Sequence, residues 1–210
     1  MQAPERSAER DAAIAALLPN VPFDGWTHRA LRAALATSGQ CPDDAELLFP
    51  GGASDMVEAC FDWVDRQMEA AAAADPTLAG LRVSQRVRAV ITLRLRQMRP
   101  HREAMRRALS LLALPHNAPR AAAITARTVD AIWRAAGDSA ADFSWYTKRA
   151  LLAGVWSATL LYWLCDTTEE DAATLAFLDR RLADVRRIGK ARSRLERLMP
   201  WRRGEGSYAG

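Results

Sequence analysis

Little in this chain invites covalent or metal chemistry. Its three cysteines, Cys41, Cys60 and Cys165, are odd in number, far apart and in no C-x-x-C arrangement. That excludes a disulfide framework and a thiolate metal site, and it fits a reducing compartment. The three histidines, His28, His101 and His116, show neither H-x-x-x-H nor E-x-x-H spacing, so they read as surface or capping residues and not as ligands of zinc or a di-iron pair. No G-x-x-x-x-G-K-S or G-x-G-x-x-G is present to cradle a phosphate, and Pro50-Gly51-Gly52 reads as turn punctuation. With no catalytic constellation left, binding without a metal or cofactor is expected in place of catalysis. Period-two alternation of Val, Ile and Thr is also missing, which argues against a sheet protein. Residues Met1 to Arg10 are charged and lack an apolar run, so no secretory signal is expected and the protein should stay where it is made.

What is present is an Ala-rich chain of 210 residues, half of them hydrophobic, with apolar positions at helical spacing: an all-α chain long enough for one good-sized core. The spacing predicts helices over Glu5–Leu18, Thr27–Ser38, Asp43–Leu48, Asp55–Ala74, Leu81–Met98, His101–Leu114, Ala121–Ala136 and Asp171–Ile188. Asp55 with Glu58 has capping-box character, and Gly137 is placed to end a helix. Charged residues such as Arg10 and Arg94 fall off the apolar stripes and read as solvated. Gly189 is expected to interrupt the last long helix. A short amphipathic helix would follow over residues 189–203, then a disordered tail at 204–210.

The pattern helix, Gly-containing turn, short helix over residues 1–52 is that of a helix-turn-helix. Its chemistry opposes DNA binding. A recognition helix approaches phosphates with Arg, Lys, Asn or Gln, whereas Asp43, Asp44 and Glu46 would repel a polyanion, so no nucleic acid partner is expected. The basic charge lies elsewhere. Val185 to Arg203 holds eight basic residues against Glu196, and removing that +7 from the net +4 leaves the rest of the chain at about −3. Such a tail suits an anionic membrane surface, with Lys190, Arg194 and Arg197 on the polar side and Leu195, Leu198 and Trp201 on the apolar side.

The block Asp142 to Cys165 is the most distinctive. Its 16 uncharged residues from Ala150 onward reach about 24 Å as a helix, short of a hydrocarbon core of roughly 30 Å, so a buried helix is expected and not a membrane span. Ala150, Gly154, Ser157, Ala158 and Leu161 form a small-residue stripe that invites close helix packing. Leu152, Trp156, Thr159, Leu160 and Trp163 form a bulky one, either core or the wall of a site for an apolar ligand with Thr159 or Tyr162 as polar handle. Lys148 and Arg149 sit where the helix macrodipole disfavours cations. Either Asp142 offsets them, or Asp142, Trp145, Tyr146 and Arg149 form an exposed partner patch with the aromatic and Arg composition of binding hot spots.

The run Asp142-Phe-Ser-Trp-Tyr-Thr-Lys-Arg-Ala150, continued by Leu-Ala-Gly-Val-Trp-Ser-Ala-Thr to Thr159, resembles the coenzyme Q biosynthesis accessory family of lipid-binding proteins. Phe177-Leu-Asp-Arg-Arg-Leu182, Ile188-Gly-Lys190, Gly25-Trp26-Thr27 and Leu48-Phe49-Pro50-Gly51 carry the likeness further; Ser144, where Asn is common, departs from it. The resemblance implies a TetR-like all-α fold, dimeric, with a degenerate helix-turn-helix, a lipid-binding and dimerisation domain over 53–188, and a C-terminal amphipathic helix that attaches to the membrane. It implies an isoprenoid quinone or phospholipid ligand, presented at an inner membrane to the di-iron demethoxyubiquinone hydroxylase. It also places the partner patch on Asp142, Trp145, Tyr146 and Arg149. Localisation would be cytoplasmic and peripheral, or on the matrix side in a mitochondrion. A TetR-type regulator with a hydrophobic effector is the competing reading.

Overall fold

The structure, a computed structural model, describes residues 4–137 and 144–198, the side chains of 144–146 and 188–198 excepted. Every regular element among the described residues is helical: α1 Ala8–Leu17, α2 Val21–Asp24, α3 His28–Thr37, α4 Ala45–Leu48, α5 Gly52–Ala74, α6 Val83–Met98, α7 Arg102–Leu112, α8 Ala118–Ala135, α9 Ser144–Cys165 and α10 Ala172–Leu198, with short 3-10 turns between several of them. The expected all-α class is observed.

Local chemistry sets most of the boundaries. Ser7 and Thr27 cap α1 and α3, their hydroxyls accepting from the N–H of Arg10 and Ala30. Gly39, at φ +75, allows the turn after α3. Gly137 ends α8 at φ +72, and a Cβ there would meet Arg86 Nη1 at 2.9 Å. Three expectations need correction. α5 begins at Gly52 with Gly51 as its N-cap, so Asp55 lies inside the first turn; one of its oxygens accepts from the Gly51 N–H at 3.4 Å and the other takes Arg10, while Glu58 engages Arg120 and Arg127 and completes no capping box. Pro119 lies inside the first turn of α8, where its missing N–H costs nothing, and not in the preceding loop. Gly189 does not break α10, which continues to Leu198, because one Gly costs a helix only about 1 kcal/mol.

The helix-turn-helix region is compact. After α3 the chain makes a 3-10 turn, Pro42–Asp44, and α4 adds only four residues, with Glu46 paired to Arg32 of α3. Arg6, just before α1, and Asp11 within it fasten this unit to α5 through Asp62 (2.7 Å) and Arg66 (2.6 Å). Arg10 is buried here, bonded to the Leu48 carbonyl and Asp55 and lying 4.4 Å over the Phe49 ring. Helical spacing could not show that its partners lie on α4 and α5.

α5 is the central helix and packs along α8 and α6, with α9 and α10 closing the far side. Its stripe, Met56, Val57, Cys60, Phe61, Val64 and Met68, is wholly buried, as expected. Burial in these apolar surroundings pushes the Cys60 thiol up to about 12, so it behaves as a core residue. Arg94 of α6, read as solvated, is 1% exposed. Its Nε donates to Asp65 Oδ1 of α5 at 2.8 Å; Nη2 lies equally close to that oxygen but is poorly aligned for a hydrogen bond, so it contributes mainly as charge. Thr128 of α8 donates its hydroxyl to the other oxygen at 2.8 Å. The guanidinium lies 4.7 Å over Trp156 of α9 and 5.5 Å over Phe61. Four helices therefore meet at one charge pair.

The α9–α10 turn is held as tightly. Glu170 and Asp171 occupy left-handed backbone (φ 53 and 58), which costs L residues about 1–2 kcal/mol each. Arg99 pairs with Glu170 at 2.6 Å, and Arg102 binds Asp171 and the Asp166 carbonyl. Burial would raise the Asp166 carboxyl, but hydrogen bonds from Thr168 and Thr174 hold it well below the usual carboxylate range.

Two stability outcomes follow from these contacts. Asp65→Asn or Arg94→Met alone should cost about 3–5 kcal/mol in urea unfolding, because each strands a buried partner, while the double change Asp65→Leu with Arg94→Met should recover most of that loss. Asp166→Ala should cost about 2 kcal/mol at neutral pH. The Asp166 folded pKa is depressed, so its stabilisation is full above the unfolded value near ~3.9 and is lost as pH falls through the folded value. The gap between variant and wild type should already be smaller by about 1 kcal/mol at pH 3, and a gap constant with pH would contradict this role.

Candidate functional site

α9 carries every candidate from Ser144 to Cys165, and the structure sorts them by face. Leu152, Trp156, Thr159, Leu160 and Trp163 are all buried, together with Val155 and Leu164. Ala150, Gly154 and Leu161 of the small-residue stripe are exposed, Leu161 by 60%. No helix among the described residues is long and apolar enough to cross a membrane.

The buried stripe does not line one pocket. Trp156 and Leu160 wall a cavity of about 220 Å³ with Phe61 of α5, Leu109 and Leu112 of α7, and Ile124 of α8. Its lining contains no charged residue; Thr125 and Ser157 supply hydroxyls, and Leu161 reaches its edge. Leu152 belongs instead to a second cavity of about 300 Å³ on the other side of α9, bounded by α6, α8 and α10 and containing Lys148 and Arg186. Thr159 and Trp163 line neither. The Thr159 hydroxyl donates to the Val155 carbonyl at 2.7 Å, and Trp163 packs 4.7 Å under the Arg102 guanidinium. Tyr162 faces outward and stacks on Phe177 at 4.6 Å. Neither expected polar handle therefore lines either of these two cavities.

Arg149 pairs with Asp130 of α8, across a shallow groove of about 460 Å³ lined by Ala122, Ala126, Ala150 and Ala153. An acid from the neighbouring helix offsets this cation, which is how α9 tolerates positive charge in its first turns. Asp142 and the side chains of Trp145 and Tyr146 lie outside the described residues, as do the side chains of Lys190, Arg194, Leu195, Arg197 and Leu198, and all of Trp201.

Several site residues escaped sequence reasoning. Leu109 and Leu112 of α7, Val83 and Val87 of α6, and Leu182 and Val185 of α10 line cavities, although each lies on an amphipathic face that reads as ordinary core. Arg94 holds the Phe61 and Trp156 rings that wall the first cavity, and no spacing rule connects residues 65, 94 and 128. Of the histidines, His28 bonds the Phe49 carbonyl at 2.8 Å, and burial lowers the pKa of His101.

Residues 118–189, which span α8, α9 and two thirds of α10 and contribute to both cavities, match the sequence model of the COQ9 family. The chain is 31% identical over 182 residues to the mitochondrial ubiquinone biosynthesis protein COQ9 of Rattus norvegicus, covering 84% of this chain and 58% of that protein. It is 31% identical over 185 residues to the Homo sapiens protein of the same name, covering 84% and 57%. A probable coq9 of Dictyostelium discoideum is 29% identical over 177 residues, covering 82% and 58%. The chain thus spans less than two thirds of the length of these relatives. Among solved structures, a TetR transcriptional regulator from Nitrosomonas europaea superposes with a TM-score of 0.67 at 22% identity, over 84% of this chain and 97% of that one, a likeness of fold. The resemblance carried by the D-F-S-W-Y-T-K-R-A run therefore holds: the chain is a relative of the COQ9 proteins, with their family segment at residues 118–189, on a TetR-like all-α fold.

Proposed function

We propose that this protein is a non-enzymatic accessory factor of ubiquinone biosynthesis that holds an isoprenoid quinone intermediate and presents it to the di-iron demethoxyubiquinone hydroxylase. The observation that carries the reading is the uncharged cavity beside Trp156 and Leu160. A neutral prenyl chain needs apolar walls and a few hydroxyls, and Thr125 and Ser157 are the hydroxyl groups in that lining. The similarity to COQ9 proteins supplies the pathway. In this reading α10 brings its basic C-terminal end to an anionic inner membrane, and two copies associate as a homodimer. The compartment is the cytoplasmic or matrix face of that membrane.

A DNA-binding role on the same fold has little chemical support. α4 is one turn long, and the acids Asp43, Asp44 and Glu46 stand where a duplex would bring phosphates.

Organic extraction of the purified protein, followed by mass spectrometry, should release an isoprenoid. Ala121→Trp, which places an indole against the first cavity, should abolish that co-purification while far-UV circular dichroism stays unchanged. A native protein that carries no lipid and binds none added would overturn the reading. For the partner, Trp145→Ala should reduce recovery of the hydroxylase in pull-downs at least tenfold, the loss of one interface hot spot. Arg149→Ala and Asp130→Ala both break the same internal pair, so a loss confined to Arg149→Ala assigns that guanidinium to the partner, and equal losses assign it to the α8–α9 contact.

A further inference from the structure

The two aromatic walls of the first cavity share a support that lies outside its lining. Phe61 of α5 and Trp156 of α9 are the largest of the described residues lining that cavity, and both are buried. Arg94 of α6 does not line it, yet its guanidinium lies 4.7 Å over the Trp156 ring and 5.5 Å over the Phe61 ring. Asp65 and Thr128, which fix the guanidinium and its counter-charge, are likewise absent from the lining. The charged network therefore reaches the cavity through these two rings.

Stability alone does not account for such a network, because a buried ion pair replaced by hydrophobic residues of similar volume is often no less stable. What the guanidinium supplies that an apolar group cannot is a flat, desolvated cation serving rings on two helices at once. A ring held on its face is not free to turn. A ligand that meets walls already fixed is spared the cost of ordering them, and side chains immobilised on binding are a large part of what association costs. The size of the cavity sharpens the effect. An apolar cavity of about 150 Å³ takes benzene, so 220 Å³ takes roughly nine carbons, close to two isoprene units, and the order of two large wall rings then bears directly on affinity.

We propose that Arg94 is a positioning residue for the apolar ligand: its buried guanidinium holds Phe61 and Trp156 in the orientation that receives a prenyl segment, and the Asp65–Arg94 pair serves binding more than stability. The inference rests on the isoprenoid reading of that cavity.

Titration calorimetry of the delipidated full chain with geraniol, the alcohol of two isoprene units, tests it. Asp65→Leu with Arg94→Met should keep a urea midpoint close to the native one and yet bind geraniol about tenfold more weakly, the cost of ordering two wall side chains on binding. Arg94→Lys keeps a charge for Asp65 but has no flat group to span both rings, and it should show a similar loss. Arg102→Lys alters a cation–ring contact at Trp163, which lines neither cavity, and should leave geraniol affinity unchanged. Native-like affinity in the double variant or in Arg94→Lys would overturn the proposal, as would an equal loss in Arg102→Lys. A double variant that fails to fold would assign the pair to stability and overturn it too. A native chain that binds no geraniol would remove the isoprenoid reading and this inference together, whereas native-like binding by the variants removes this inference alone.

Discussion

A guanidinium sealed among four helices constrains the rest of this structure. Arg94 cannot be left uncompensated at 1% exposure, since a lone buried charge costs several kcal/mol. Asp65 must therefore face it from α5, and Thr128 of α8 must supply the other carboxylate oxygen with a donor. Burial works to raise the Asp65 carboxyl while Arg94 and the Thr128 hydroxyl oppose that shift, so the three groups are mutually dependent. The flat face of the guanidinium then receives Trp156, which fixes the rotation of α9 about its own axis. With that rotation set, Leu160 turns toward α7 and Leu152 toward α10, and both cavities exist because of it.

The parts of this fold legible in the sequence are those governed by short-range periodicity. The stripes of α3 and α5 and the bulky stripe of α9 are buried as their spacing predicts, because a 3.6-residue repeat is written within one helix. Arg10 and Arg94 were illegible for the complementary reason. Both lie off their stripe, and each is buried by an aspartate 45 or 29 residues away. The same limit applies to the contact between Arg149 and Asp130 of α8, which lie 19 residues apart across the interhelical groove. α10 runs through Gly189 because the backbone penalty of one glycine is small beside the hydrogen bonds of a continuing helix.

The division of the bulky stripe on α9 was beyond any one-dimensional reading. Leu152 and Leu160 are eight residues apart, an offset of about 80° on the helix that still falls within an apolar stripe roughly 100° wide, so a helical wheel merges them into one wall. Their neighbours separate them. The helices around Leu160 bring Leu109, Leu112 and Ile124, and no charge, whereas α10 brings Arg186 into the cavity that Leu152 shares with Lys148. The lining of each cavity is in this way set less by the helix that carries the signature motif than by the elements folded against that helix. Residues 118–189 include α8, α9 and most of α10 but not α6 or α7. Substitutions on α7 would therefore reshape the cavity at Leu160, and those on α6 and α10 the cavity at Leu152, without altering the α9 sequence by which the family is recognised.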